Sequence, residues 1–291
     1  MVDDASTDDT PQVVDSFQDE RIVYLRHHEN RGAAATRNTG IRQARGQFVA
    51  FLDDDDEYLP EFLAETYRAF LSASPGVGFG WCGHYHIGPD GNQILGRELW
   101  QPRFKSRHQA YLSVLRYRKL GSGCGLTVRR SCFETVGLFD EAMHVSEDAD
   151  LLIRLFRDFD FVVVPAFLVK VHKHPEPRLS TRNSRYQAET YVRIARKHMS
   201  VLQSHPELDA FFNYKIGLFY YSAGDMERGR HYLCQALRRR PFHMKTWINL
   251  MLFELFGSRG LDIRSKIRWG LRLPRHPFAS SRPHEETGGS E

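Results

Sequence analysis

Gln47-Phe48-Val49-Ala50-Phe51-Leu52-Asp53-Asp54-Asp55-Asp56 is the stretch on which the reading of this chain turns. After Gln47 it is continuously apolar and then stops on charge. An apolar run of this length, ended so sharply, reads as a strand buried on both faces of its sheet. Four adjacent carboxylates then mark the strand's carboxyl end, the edge of an open α/β sheet at which ligands bind.

On the amino-terminal side, Gly32 to Arg45 is an alanine-rich helix with arginines along one side, and Arg21 to Leu25 is a strand. Further upstream, Asp3-Asp4-Ala5-Ser6-Thr7-Asp8-Asp9-Thr10 reads as a strand end running into a helix cap. On the carboxyl side, Pro60 is followed by helical periodicity from Glu61 to Ser72. Strand, helix, strand, helix predicts an α/β fold with a mixed, mainly parallel sheet flanked by helices. Val77 to Ile87 and Gln93 to Leu99 surround the turn signal Pro89-Asp90-Gly91-Asn92 and predict a hairpin. A short strand at Leu126 to Val128, a helical turn at Ser131 to Val136, a helix from Asp148 to Arg157 and a strand from Phe161 to Val164 follow. Glycine density at Gly121, Gly123 and Gly125 suits a backbone that approaches a ligand closely.

From Asn183 to Leu273 the pattern is helical throughout. Tyr220 to Pro241 has the small and aromatic spacing of one tetratricopeptide-type helix pair. A single such unit leaves its faces uncovered, so it is expected to pack on its neighbours rather than form a free binding array. The expected division is a catalytic domain over 1–182, a helical extension over 183–273 and a disordered tail over 274–291.

The 291 residues carry 40 basic and 36 acidic side chains, a net charge of +4 that is too weak for a nucleic-acid-binding signature. Cys82, Cys124, Cys132 and Cys234 lack metal-finger or disulfide-framework spacing, which fits a reducing cytoplasm. No run of apolar residues is long enough to span a bilayer. The arginines at 238–240 and the later Arg264, Lys266, Arg268, Arg272 and Arg275 read as a solvated basic face. Peripheral contact with anionic lipid at the membrane's inner face is the alternative.

Clustered carboxylates repel, and a divalent cation of the Mg²⁺ or Mn²⁺ type converts that cost into binding through oxygen ligands. Such an ion can also neutralise a diphosphate leaving group. Read alone, the run has an acidic, solvated turn as its less favoured alternative. Glu147-Asp148-Ala149-Asp150 opens a helix, where acids are favourable beside the dipole's positive end even without a function. A phosphatase with an aspartyl nucleophile would also place Asp-x-Asp at a strand end. Glu57-Tyr58-Leu59 stands where such enzymes present a small hydroxyl residue.

Four segments occur in order: Val2-Asp3-Asp4-Ala5-Ser6-Thr7-Asp8, Ala35-Thr36-Arg37-Asn38-Thr39-Gly40-Ile41, Phe51-Leu52-Asp53-Asp54-Asp55-Asp56 and Ser146-Glu147-Asp148-Ala149-Asp150-Leu151. Together they resemble family 2 glycosyltransferases of the GT-A fold, over residues 2 to 180. The resemblance implies an inverting, metal-dependent transfer of a sugar from a nucleoside diphosphate sugar, a UDP-sugar first, to a hydroxyl of a glycan or lipid-linked acceptor. Surface polysaccharide or other glycan synthesis is the implied setting. It also implies that Asp3 and Asp4 contact the nucleotide base and that Arg37 lies near the base or diphosphate. Asp53 would touch the ribose or the metal, with Asp54 among the nucleotide-sugar contacts. Asp55 would be the principal Mn²⁺ or Mg²⁺ ligand, joined by Asp53 and by His174. Asp148 would be the general base and Glu147 its support. Members of the family begin with an apolar strand and a proline-tyrosine-asparagine type loop, whereas this chain opens directly on the Asp3-Asp4 strand. The expectation is a missing front element, with an impaired nucleotide-sugar-binding or protein-interaction module as the competing function.

Overall fold

The structure, a computed structural model, describes residues 1–117, 125–174 and 183–260. The glycine-rich segment up to Cys124, the later basic residues from Arg264 onward and the tail over 274–291 lie outside the described residues.

Two sheets organise the first part of the chain. Strands β1 (Val2–Asp3) and β2 (Leu25–Arg26) pair in parallel around helix α1 (Thr10–Ser16). Helix α2 (Ala33–Gln43) follows. The larger sheet holds β3 (Phe48–Ala50), β4 (Asp56–Tyr58), β5 (Val77–Ile87), β6 (Ile94–Glu98), β7 (Thr127–Arg129) and β8 (Asp160–His172). Its order is β3-β7-β5-β8-β4, with β6 added on β5.

The sheet is mixed, as expected, but parallel pairing is confined to a smaller part of it than strand–helix alternation implies. Within the larger sheet the long β5–β8 ladder is parallel, while β3–β7, β5–β7, β4–β8 and β5–β6 are antiparallel. The reason is insertion of short strands: β7 enters between β3 and β5, so the apolar strand before the aspartates runs against its neighbour. Strand β8 is also far longer than the Phe161 to Val164 core that announced it. It extends through Pro165, which the ladder tolerates beside a register shift near Cys82 and Gly83.

Strand β5 is the spine, buried at nearly every position. Gly80 is required there because a Cβ would sit 2.5 Å from the Val162 carbonyl oxygen of β8. Helices α3 (Phe62–Ser72), α4 (Arg107–Tyr117), α5 (Cys132–Val136) and α6 (Glu147–Asp158) cover the sheet. The main core joins Phe79 and Trp81 of β5 to Leu115 of α4 and to Leu151, Leu155 and Phe156 of α6.

The second part is helical: α7 (Ser184–Lys197), α8 (Met199–Ser204), α9 (Pro206–Ser222), α10 (Met226–Arg239) and α11 (Met244–Phe256). Asn183 caps α7 through the amides of Arg185 and Tyr186, and Asp225 caps α10 through that of Arg228. The α9–α10 hairpin closes tightly because Gly229 faces the Tyr221 ring and Gly217 faces Leu233. Tyr221 in turn stacks on Phe253 of α11 with centroids 4.0 Å apart. The helices share the main core through Ala188, Ile194, Phe212 and Ile216. Polar ties add to this: Thr190 donates to the Val145 carbonyl at 2.9 Å, and Tyr111 meets His198 Nδ1 at 2.8 Å. No described helix is long and apolar enough to cross a membrane.

Candidate active site at the acidic turn

Residues 51–55 join the two edge strands of the larger sheet, β3 and β4. This crossing puts three aspartates in a short connection and a fourth, Asp56, at the first position of β4, shaped by a tight backbone turn in which Asp56 N donates to Asp53 O at 3.1 Å. Carboxylate oxygens of Asp53, Asp55 and Asp56 lie within 4.8 Å of one another. Asp54 is exposed and stands outside this group. Asp56, which sequence reasoning left out, is therefore a better geometric partner of Asp53 and Asp55 than Asp54 is. The turn explains it: the chain bends back at residues 54–55, so Asp56 returns beside Asp53, and equal letters in a run are not equal in direction.

His174 follows the end of β8 and places Nε2 3.0 Å from Asp55 Oδ2. His172, two residues earlier, bonds Glu57 Oε1 at 2.9 Å instead. The donor set of three converging carboxylates and an imidazole suits a hard divalent ion such as Mg²⁺ or Mn²⁺, with oxygen ligands dominant.

Arg37 gathers the rest. From the middle of α2 it donates to Asp53 Oδ1 at 2.8 Å and to Glu147 Oε1 at 2.6 Å, and its guanidinium lies 5.6 Å from the Phe139 ring centroid. The planar fork of arginine allows two carboxylates to be held at once. The same helix is locked in place by Asn38, which is 1% exposed. Its amide donates to the Phe139 carbonyl and to Glu141, and its oxygen accepts from Phe139 N at 2.9 Å.

Glu147 and Asp148 open α6. The preceding Ser146 has φ 59°, a left-handed conformation that is costly for a serine and turns the chain sharply before the helix. Asp148 accepts from Ala149 N at 2.7 Å. Burial, and then the charge of Glu147, push its pKa up from the ordinary value, against the Ala149 bond and Arg37. Asp53 also reaches it electrostatically, in the direction that raises the pKa.

Asp3 and Asp4 belong to a local network at the amino-terminal sheet. Asp3 is buried, accepts from Ser6 N at 2.8 Å and from the Tyr24 hydroxyl, and pairs with Arg26. These hydrogen bonds hold its pKa down at about 2. Asp4 takes the amides of Arg31 at 2.9 Å and Gly32 at 2.7 Å, at the start of α2, and His27 Nδ1 at 2.7 Å. Gly32 has φ 84°, which admits glycine readily. Asp4 is thereby tied to the start of α2, the helix that carries Arg37, while the partners of Asp3 lie within the amino-terminal segment. The side chains of both aspartates are engaged with protein groups rather than aimed together with Asp53 and Asp55.

The fold, with its mixed sheet, covering helices and helical carboxyl-terminal part, is of the GT-A class of α/β domains. Residues 1–136 match the profile of glycosyl transferase family 2. An uncharacterized glycosyltransferase RP339 of Rickettsia prowazekii is 27% identical over 181 residues, covering 62% of this chain and 56% of the relative. The UDP-Glc:alpha-D-GlcNAc-diphosphoundecaprenol beta-1,3-glucosyltransferase WfaP of Escherichia coli is 36% identical over 80 residues, 25% of this chain and 32% of that protein. The chain therefore spans little more than half the length of the first relative and a third of the second. In three dimensions the crystal structure of S. aureus TarS is similar with a TM-score of 0.60 at 17% identity, over 93% of this chain and 81% of that one.

Proposed function

We propose that this protein transfers a sugar, with inversion, from a nucleoside diphosphate sugar to an acceptor hydroxyl, at the site between Asp53, Asp55 and Asp148. The observation that carries the reading is the Arg37 bridge. One guanidinium joins carboxylates from the acidic turn and from the start of α6, which lie 94 residues apart in the chain (147 − 53). Solvated helix-capping acids and a solvated acidic turn have no reason to converge in this way.

Asp148 is the general base in this reading. Its pKa, raised by burial and then by Glu147, gives it a greater proton affinity than an ordinary aspartate, the direction that a base taking the acceptor's proton requires. The new bond forms between the acceptor oxygen and the anomeric carbon as the bond to the donor's diphosphate breaks. Glu147 and Arg37 hold the start of α6 against the turn, which fixes the distance from base to donor. Asp53, Asp55 and Asp56, with His174 at the margin, would hold Mn²⁺ or Mg²⁺, which when bound supplies charge neutralisation for the leaving diphosphate. Asp54 is left with a peripheral contact to the nucleotide sugar.

A UDP-sugar donor and a lipid-linked acceptor are the first choices, supported by the activity for which the E. coli relative is named. Cell-surface glycan assembly on the cytoplasmic side of a membrane would be the setting. The apolar side of α11 supports peripheral contact: Met244, Trp247, Ile248, Met251 and Leu255 are exposed along it, next to Phe242 and the basic run at 238–240. We keep 1–182 as the catalytic unit and 183–273 as a docked extension.

Nucleotide release from a panel of UDP- and GDP-sugars, with Mn²⁺ and with chelator, tests the reading. Chelator-sensitive release is the expected result, lost in Asp55→Ala together with metal-dependent nucleotide binding. Sugar-nucleotide binding without turnover under any acceptor would favour the competing binding-module function, and unchanged transfer in Asp148→Ala would sink the base assignment.

A further inference from the structure

A second cluster of metal-ligating side chains lies on the β5–β6 hairpin, and the donor chemistry above makes no use of it. His84 and His86 are two apart on β5 and so face the same side of the sheet. Glu98 of β6 stands directly opposite His84 in the antiparallel register, and Gly96 stands opposite His86. One ligand atom from each of His84, His86 and Glu98 lies within 4.8 Å of the others, and His86 Nε2 is 3.7 Å from a Glu98 oxygen.

We propose that His84, His86 and Glu98 form a cation site of their own, for a transition metal of the Zn²⁺ class, distinct from the carboxylate cluster at the acidic turn. Metal–ligand bonds of about 2.0–2.2 Å in tetrahedral geometry put ligand atoms roughly 3.3–3.6 Å apart. The 3.7 Å separation is already close to that, and the remaining closure is a side-chain rotation. Gly96 leaves open space beside His86, since a Cβ there would meet nothing within 4 Å, so the imidazole can turn without displacing a neighbour. On the other flank the β8 residues paired with the histidines, Val169 and Val171, are buried and apolar. They shield one side of the cluster from water and fix the strand that carries the two histidines.

Ligand type separates the two clusters. Two imidazoles and one carboxylate select Zn²⁺, Co²⁺ or Ni²⁺, whereas the all-carboxylate group at Asp53, Asp55 and Asp56 favours Mg²⁺ and Mn²⁺. Three protein ligands leave a fourth position, on the solvent side by Glu98, for water or an anionic group. Lys173 is the charge that acts against a cation here, through its interaction with His84, and it is the natural counter-charge for an anion in the open position.

Co²⁺ titration of the whole chain, free of any oligohistidine tag, reads the ligand set through its visible d–d absorption, with Zn²⁺ as competitor. His84 is buried, so the test rests on His86→Gln and Glu98→Gln at more accessible positions, with circular dichroism as the check on folding. The expected result is an intense tetrahedral Co²⁺ spectrum displaced by Zn²⁺, weakened tenfold or more, on the order of the loss known for altered metal shells, in each variant. The spectrum should survive in a His172→Gln/His174→Gln double variant. Only a weak octahedral spectrum in the wild type, or a tetrahedral one that vanishes in the double variant and persists in His86→Gln, would overturn the assignment. Because the readout is spectroscopic, its failure leaves the sugar-transfer reading untouched.

Discussion

Asp148 and Asp150 are two residues apart on the same helix and meet opposite surroundings. At 3.6 residues per turn they point to nearly opposite sides of α6. Asp150 is fully buried and closed on both oxygens by cations: Arg154 at 2.7 and 3.0 Å on one, Lys197 at 2.8 Å on the other. Lys197 also reaches Asp140, which Arg193 grips as well, so this group sews α6 to α7. Lys197 and Arg193, with the Ala142 amide, hold Asp140's pKa at about 2 despite partial burial. Asp148 has the reverse balance, with burial and a neighbouring glutamate outweighing Arg37. A carboxylate whose charge is spent on ion pairs is a structural rivet, and one whose charge is left costly has the proton affinity that the proposed base needs.

The largest effect expected from this contrast is on turnover. Asp148→Asn should lower kcat by about 10²–10⁴-fold, the usual worth of a positioned general base, with the Kd for the donor nucleotide sugar unchanged. A variant that loses donor binding in proportion would move Asp148 from chemistry to binding and erase the contrast. Asp150→Ala should act on the other axis. Breaking one partner of a buried ion pair strands Arg154 and Lys197, a loss of about 3–5 kcal/mol in urea denaturation. Since Arg154 also donates to the carbonyls of Val136, Gly137 and Leu138, the damage should spread to the segment that carries Phe139. Wild-type stability in Asp150→Ala would show the rivet to be decorative.

A smaller effect should appear in the pH profile. The acid limb of kcat/KM reports the base of the free enzyme, so it should lie above the ordinary aspartate value of 3.8. Glu147→Gln removes a like charge that raises Asp148's pKa, and the limb should move to lower pH. A limb that stays in place would mean that another group titrates.

Much of this was legible before any coordinates. Phe48 to Leu52 announced a strand, and Asp53 to Asp56 announced the site, because apolar runs and clustered charge are local properties. The helices over 33–43, 62–72 and 147–158 were legible for the same reason. What the pattern did not carry is pairing. The direction of β3 against β7 depends on a strand 77 residues further on (127 − 50), and the share of Asp56 in the acidic group depends on the turn that brings it back beside Asp53. The division of labour between Asp148 and Asp150 depends on Lys197, which no local window contains. His84, His86 and Glu98 look like two unrelated strands until the hairpin register sets them side by side. Asp3 and Asp4 add that a motif legible in sequence can also hold backbone: Asp3 takes the Ser6 amide, and Asp4 those of Arg31 and Gly32.

The smallest expected effect is also the one that distinguishes the two aspartates most directly, because it reverses sign between them. A carboxyl whose pKa is raised on folding binds its proton more tightly in the native state, so stability is lost as pH climbs from the unfolded value of 3.8 through the native one. Above the unfolded value the wild type therefore carries a penalty, and Asp148→Asn, which keeps the shape without the charge, should be more stable than the wild type. Each kcal/mol recovered reads as about 2–4 °C in Tm. The gap should close as pH falls toward 4, where both side chains become neutral. For Asp150, whose oxygens are matched by Arg154 and Lys197, the same change to asparagine should lower Tm at neutral pH. A pair of thermal melts at neutral and acidic pH is enough to compare them. Asp148→Asn melting below the wild type at neutral pH would mean that its charge is held by the fold as firmly as that of Asp150.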